Sequence, residues 1–217
     1  IYVFINQSTS GNLNLTAPLI VAAGSPTSVA IGELNKDHRP DIVATNSTGN
    51  KISVLHNATN SVTAFSLATR KDFAVGSNPV SVALGNMDLA NSVLHITTAN
   101  EGDNTLSAFS IEQFGNYTVS KVITSGTAPS LIAYSDFDAD SRDEMMVYNS
   151  GSSSISLFRN NRGGSSSGVI FGDKIDFPFS SGLSSAAVAD LDGDGKNDLI
   201  GIGGGVLSFL RSTSSLA

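Results

Sequence analysis

The stretch Asp190-Leu-Asp-Gly-Asp-Gly-Lys-Asn-Asp198 constrains this chain more than any other. Its carboxylates alternate with other residues around two glycines, and the apolar pair Leu199-Ile200 follows at once. Like charges at that spacing repel, so they persist cheaply only around a cation. Hard oxygen ligands at positions 1, 3, 5 and 9, with a peptide carbonyl at position 7, suit calcium. The ligand set read here is Asp190, Asp192, Asp194, the carbonyl of Lys196, and Asp198.

The frame recurs. Asp136, Asp138, Asp140, the carbonyl of Arg142, and Glu144 fill the same positions ahead of Met145-Met146. Glu33, Asn35, Asp37, the carbonyl of Arg39, and Asp41 fill them ahead of Ile42-Val43. A fourth copy is worn. It starts as Asn86-Met-Asp88, but Ala90 stands at the third ligand, one residue is inserted, and His95 replaces the last carboxylate. The copies begin at 33, 86, 136 and 190, a period of about 50 residues, which means a propeller, a solenoid or an array.

The remainder of each repeat agrees. A turn precedes each loop: Gly24-Ser-Pro26, Gly76-Ser-Asn-Pro79, Gly126-Thr-Ala-Pro129, with Leu183 in the fourth proline slot. Short apolar runs follow the turns, as in Ser28–Ile31, Ser81–Leu84, Leu131–Tyr134 and Ala186–Ala189. Second runs follow the loops, starting at Asp41, His95, Glu144 and Asp198. Third runs are Ile52–Leu55, Leu106–Phe109, Ile155–Phe158 and Val206–Phe209, and a more polar fourth run precedes the next turn. Runs rich in Val, Ile, Thr and Phe, punctuated by Gly, Asn and Ser, are strand signals. No helical period accompanies them, and position 12 after Asp190 is Gly201, so these loops are not EF-hands.

Four strands per repeat predicts an all-β fold: a β-propeller of four-stranded antiparallel blades whose first hairpin carries the metal loop. The repeats fall at about 24–75, 76–125, 126–181 and 182–217, with no linker between them, so 1–217 reads as one domain. Asn160 to Gly168 reads as a loop between a third and a fourth strand.

The Gly-x-x-Pro turn, the apolar strand, the Asp-x-Asp-x-Asp-x-x-x-Asp loop and the Ile-Val-type strand resemble the FG-GAP/VCBS repeat. That is the blade unit of integrin α-subunit propellers. The resemblance implies a calcium-stabilised propeller, commonly seven-bladed, used in adhesion or ligand binding. This chain departs from it in the number of blades.

The formal net charge is −7, and most of the nineteen carboxylates sit in the three intact loops. Three bound calcium ions would bring the chain close to neutral, so the acidity speaks for metal rather than for a basic partner. There is no basic patch for nucleic acid and no apolar run long enough to span a membrane. Cysteine is absent, which neither requires nor excludes secretion. Loops of this kind serve where calcium is millimolar, which places the expected site of action outside the cell or at its surface. The chain begins at Ile1 rather than Met, read here as a processed product or a portion of a longer chain. Five sequons, at Asn6, Asn14, Asn46, Asn57 and Asn116, are candidate glycosylation sites.

No catalytic constellation emerges. His38, His56 and His95 are scattered through the repeat, and the paired carboxylates are better explained by calcium. The expected function is therefore non-catalytic, in adhesion or structural assembly, with an unidentified protein or glycan ligand. Two other readings stay open: a head-to-tail filament subunit, and a carbohydrate-binding or carbohydrate-cleaving propeller. The filament reading comes from the ends. Ile1–Asn6 aligns with a third strand and Leu15–Ala23 with a fourth, while the chain stops after a third strand. Residues 1–23 would then complete the last blade of the same chain or of a neighbour, by self-association through edge strands.

Overall fold

The computed structural model describes residues 1–60, 65–86, 94–112, 116–160, 171–178 and 182–213. Among these residues it is all-β, with no helix. The first sheet holds four antiparallel strands in meander order: β3 (Val29–Gly32), β4 (Asp41–Asn46), β5 (Lys51–Leu55) and β6 (Lys71–Ala74). The second is β7 (Pro79–Gly85), β8 (His95–Asn100), β9 (Thr105–Glu112) and β10 (Asn116–Thr124). The third is β11 (Pro129–Ser135), β12 (Glu144–Asn149), β13 (Ser154–Asn160) and β14 (Phe171–Pro178). The fourth has three strands, β15 (Leu183–Ala189), β16 (Asp198–Gly203) and β17 (Val206–Leu210). A separate ribbon pairs β1 (Tyr2–Val3) with β2 (Leu19–Ile20). The worn loop at 87–93, the segment 161–170 and the last residues 214–217 lie outside the described residues.

Sheets pack face to face in chain order, and three apolar clusters fill the gaps. Val43, Ile52 and Val54 of the first sheet meet Val82, Ile96 and Phe109 of the second. Ala99, Leu106 and Ile123 meet Ile132, Met145 and Phe158 of the third. Met146, Tyr148 and Ile155 meet Leu199 of the fourth. The second and third sheets are thus covered on both faces, and β8 and β12 are buried at every position. Strands buried on both faces cannot alternate apolar and polar residues, which is why Met145-Met-Val-Tyr reads as a continuous run. Serines in the first strands tie the sheets together. Val82 donates its N–H to Ser28 Oγ at 3.2 Å, and Ile132 donates to Ser81 Oγ at 3.1 Å.

The turn glycines have a packing reason. A Cβ on Gly24, Gly76 or Gly126 would lie 2.2–2.6 Å from the side chain that ends the second strand or from a neighbouring turn carboxylate. Those side chains are Asn46, Asn100 and Asn149. Asn46 Oδ1 accepts the N–H of Ser25 and Asn149 Oδ1 that of Gly126, so each amide plugs the turn its glycine leaves open. In the fourth sheet Gly203 takes the asparagine's register opposite Leu183.

The ends differ from one expectation. Residues 1–23 do not complete the fourth sheet of the same chain; β1 and β2 pair with each other, and β17 has no further partner among the described residues. Ile1 and Val21 exchange backbone hydrogen bonds of 2.9 Å, closing the ribbon locally. Local closure over some twenty residues costs less chain entropy than reaching a strand near residue 210. The outer face of the fourth sheet, with Ile202, Leu207 and Phe209, stays exposed. Val29 and Ile31 of β3 are exposed as well, as are Tyr2 and Ile20 of the ribbon.

Candidate metal centres

Each acidic loop bridges the first and second strands of its sheet. Residues 33–40 join β3 to β4, 136–143 join β11 to β12, and 190–197 join β15 to β16. The fourth and sixth positions of all three loops are left-handed: Lys36 and His38 at φ 66° and 64°, Ala139 and Ser141 at 62° and 69°, Gly193 and Gly195 at 78° and 84°. Only glycine takes that region freely, so the Gly-Asp-Gly of the last loop has the least strained backbone. The alternation of left- and right-handed residues turns the loop's N–H groups inward, toward its own carboxylates.

Those N–H groups are satisfied in a repeated pattern. Asp190 accepts from Gly193 at 2.7 Å and Gly195 at 2.9 Å. Asp136 accepts from Asp140 at 3.2 Å and Ser141 at 2.8 Å. Glu33 accepts from Asn35 at 2.9 Å and Lys36 at 2.7 Å. The fifth position caps the seventh: Asp194, Asp140 and Asp37 take the N–H of Lys196, Arg142 and Arg39. These bonds hold the Asp190 carboxyl below the usual carboxylate range, the Gly195 N–H most of all.

The ninth position has a different task. Asp41 accepts the N–H of Leu34 at 3.2 Å and of Asn57 at 2.8 Å. Glu144 accepts from Phe137 at 2.9 Å and Asn160 at 3.4 Å. Asp198 accepts from Leu191 at 3.1 Å and Ser212 at 2.8 Å. In each case one buried carboxylate links the start of the loop to the last residue of the third strand or to the chain just past it. Sequence reasoning read this residue only as a ligand. The signal available was the polar residue recurring at or just past the end of the third strand: Asn57, Asn160 and Ser212.

Two groups of oxygens converge. Ligand atoms of Asp136, Asp138 and Glu144 lie within 4.8 Å of one another, and so do those of Asp190, Asp192 and Asp194. Among the described residues, Glu33, Asp37 and Asp41 do not gather in that way, and neither Asp140 nor Asp198 joins its neighbours' group. Asp41 is turned instead to His56, whose Nδ1 lies 3.1 Å from its Oδ2. Burial pushes the Glu144 carboxyl up from 4.5 to about 7, with Asp138 and Asp140 adding to the rise and the N–H groups of Phe137 and Asn160 opposing it.

A cation fits the residues present. Glu33 Oε2 and Asp138 Oδ1 are buried and make no hydrogen bond. A buried carboxylate oxygen without a partner is costly, and hard oxygens at this spacing match what calcium takes. The fit is strongest at 136–144, where the Asp138 side chain is 7% exposed and belongs to the converging group.

A second feature escaped the sequence reading. One basic side chain from the end of each third strand enters each loop. Arg159 reaches Asp138, Arg211 reaches Asp192 and Asp194, and His56 reaches Asp41 and Asn35.

Known proteins agree with this architecture. Residues 136–201 match the FG-GAP-like repeat model, which spans the third sheet's loop and the converging carboxylates of the fourth. No curated protein matches the sequence. Among solved structures, BBS1N in complex with ARL6DN, soaked with lead, aligns over 100% of this chain with a TM-score of 0.59 at 14% identity. A functionally unknown protein from Desulfotomaculum acetoxidans DSM 771 aligns over 96% with a TM-score of 0.58 at 15% identity. This chain spans 61% of the length of each of these two structures. Identities this low speak for the fold alone, and these neighbours are propeller-like. The chain is accordingly an all-β, propeller-like protein that carries an FG-GAP-like repeat across residues 136–201.

Proposed function

We propose that this chain is a non-catalytic, calcium-binding part of a β-propeller of four-stranded blades, working outside the cell in adhesion or structural assembly. The observation that carries this reading is the convergence of Asp136, Asp138 and Glu144 around a buried oxygen without a partner, repeated in form by Asp190, Asp192 and Asp194. Calcium at these loops is structural: it cancels the repulsion that would otherwise splay the hairpin. The loop at 33–41 is the weaker site, because Asp41 is committed to His56 and to two backbone N–H groups. Sites of extracellular modules bind at roughly 10⁻⁴ to 10⁻³ M, and free calcium tenfold above that adds about 1.4 kcal/mol each. The partner class is a protein or glycan ligand. Asn6 and Asn14 are exposed and leave room for a glycan, whereas Asn46 Nδ2 is packed against Gly24, only 2.2 Å from where a Cβ would lie.

Thermal melting of the wild type and Asp192→Ala, in millimolar calcium and in chelator, tests the metal reading. The variant should melt lower in calcium and change little in chelator. There it loses an exposed pair with Arg211 and an exposed bond from the Asp194 N–H, each worth about 1 kcal/mol or less. An equal drop in both conditions sinks a metal role for Asp192.

The exposed apolar faces at Ile202, Leu207 and Phe209, and at Val29 and Ile31, favour a second reading, head-to-tail assembly of copies. Light scattering decides it: a single species near 22.4 kDa excludes assembly, and a ladder of larger masses supports it.

A further inference from the structure

The third strand of each metal-loop repeat ends in the same two-part device. Its last residue paired with the second strand is Leu55, Phe158 or Leu210, opposite Ile42, Met145 or Leu199. The next residue is basic: His56, Arg159 or Arg211. The residue after that donates its backbone N–H to the ninth-position carboxylate. In the second sheet Thr97 pairs with Ala108, so the same register position falls on Ser110, which carries no charge. That repeat also lacks the third acidic ligand, with Ala90 in its place. Basic residue and acidic loop therefore occur together three times and are missing together once.

The geometry at Arg159 shows what the pairing does. Its Nε lies 3.1 Å and its Nη2 2.9 Å from the same oxygen, Asp138 Oδ2. Both donors serve one oxygen, and Asp138 Oδ1 is left buried without a partner. The carboxylate is half neutralised from the strand side and open on the other. A guanidinium is the side chain suited to this, because its fixed planar charge keeps its donors in register. Arg211 behaves alike, contacting Asp192 through Nε and lying 3.7 Å from Asp194 through Nη2.

We propose that Arg159 is a resident counterion of the 136–144 loop: it holds the metal-free loop together and, by the same charge, sets the calcium affinity low. The inference rests on the calcium reading of that loop. A divalent ion entering beside Asp138 either shares the carboxylate with the guanidinium or displaces it. In both cases the positive charge opposes binding, and in the metal-free state it relieves the repulsion among Asp136, Asp138 and Asp140. Weak calcium binding is then a designed property of the loop, tuned by one residue outside the ligand frame. Such a loop gives up its ion when calcium falls without collapsing.

The test uses the full chain with Asp37→Asn, Asp192→Asn and Asp194→Asn, so that titration calorimetry reports the 136–144 loop. Arg159→Met keeps the stem and removes the charge; Arg159→Lys keeps a charge. Arg159→Met should bind calcium roughly tenfold more tightly, the worth of one charged hydrogen bond, and should melt lower in chelator. Arg159→Lys should return both properties toward the wild type. Unchanged or weaker calcium binding by Arg159→Met overturns the proposal, even where the parent binds calcium as expected. No binding by the parent at millimolar calcium overturns the calcium reading itself. In that event the chelator melts still read the clamp: a lower melt of Arg159→Met there leaves Arg159 as the loop's counterion without a metal to regulate.

Discussion

On the proposed calcium reading, Glu144 should make the affinity of the 136–144 loop depend on pH near neutrality. The side chain is 2% exposed and its carboxyl is pushed up to about 7 by burial, with Asp138 and Asp140 adding to the rise. A metal takes the carboxylate, so the proton must leave first. With a midpoint of about 7, the ionised fraction is close to nine-tenths at pH 8 and one-tenth at pH 6. Apparent affinity at this loop should therefore fall about tenfold, or about 1.4 kcal/mol, between pH 8 and pH 6. The stability of the metal-free protein runs the other way. A carboxyl raised above its ordinary 4.5 stabilises the fold below that value, and the contribution is lost as pH rises through about 7. The gain in melting temperature on adding calcium should thus be larger at pH 8 than at pH 6.

Calorimetry at the two pH values, in the Asp37→Asn/Asp192→Asn/Asp194→Asn background, reads the effect directly. Repeating the pH 6 titration in buffers of different ionisation enthalpy counts the proton released. Glu144→Gln should abolish the pH dependence while weakening binding at pH 8. Affinity that stays within twofold across the range refutes the reasoning, because it would mean Glu144 is ionised throughout or takes no part. In the converse background, with Asp37→Asn, Asp136→Asn and Asp138→Asn, the 190–198 loop is the control. The Asp190 carboxyl is held below the usual range, so calcium bound there should be insensitive over the same interval.

Further expectations concern the turns. Gly24→Ala places a Cβ at φ 74°, 2.2 Å from Asn46 Nδ2, whereas Gly11→Ala at φ 79° meets nothing within 4 Å. Both carry a left-handed cost of about 1–2 kcal/mol, and only Gly24→Ala also displaces an amide, so its melting temperature should fall at least twice as far. Asn149→Ala removes a fully buried amide that accepts from Gly126 N at 3.0 Å and donates to Ser156 Oγ at 2.8 Å. Urea unfolding should show a loss of about 2–4 kcal/mol; a loss under 1 kcal/mol would show that the turn does not depend on it.

Repeat period, strand class and loop positions were legible in the sequence because each rests on local chemistry. Left-handed glycines, a plugged turn and a run of apolar residues are written within about ten residues. What was not legible depended on pairing at a distance. The third strand of the fourth sheet is an example. Val206 to Phe209 resembles Ile52 to Leu55, yet Leu199 faces Leu210, so Leu210 takes the slot of Leu55. The cause is the hairpin: Gly204 and Gly205 are both left-handed and turn the chain in two residues, where the first sheet uses four between Asn46 and Lys51. The shorter turn drops two residues without changing the alternation, so Phe209 takes the slot of Val54, and it is 60% exposed because no described sheet covers that face. The same shift moves Arg211 two residues closer to its loop than His56 is to its own, which hid the recurrence of the basic residue.

The acidic motif combines two jobs that its spacing alone cannot separate. Positions one, three and five lie on the loop, at its surface or half-buried, apart from the buried Asp138. Position nine is the first residue of a buried strand, with Asp41, Glu144 and Asp198 at 0%, 2% and 3% exposure. A loop N–H left without an acceptor at that depth costs about 1–3 kcal/mol, and each of these carboxylates satisfies two. That requirement exists with or without an ion, and in the worn second repeat the same strand position is held by the buried His95 instead of an acid. What differs between repeats is reach. Glu144 has one more methylene than Asp41 or Asp198, and it alone joins the converging oxygens of its loop while still holding both N–H groups. The length of the ninth side chain, with its charge unchanged, separates the one architectural carboxylate that joins a converging group from the two that do not.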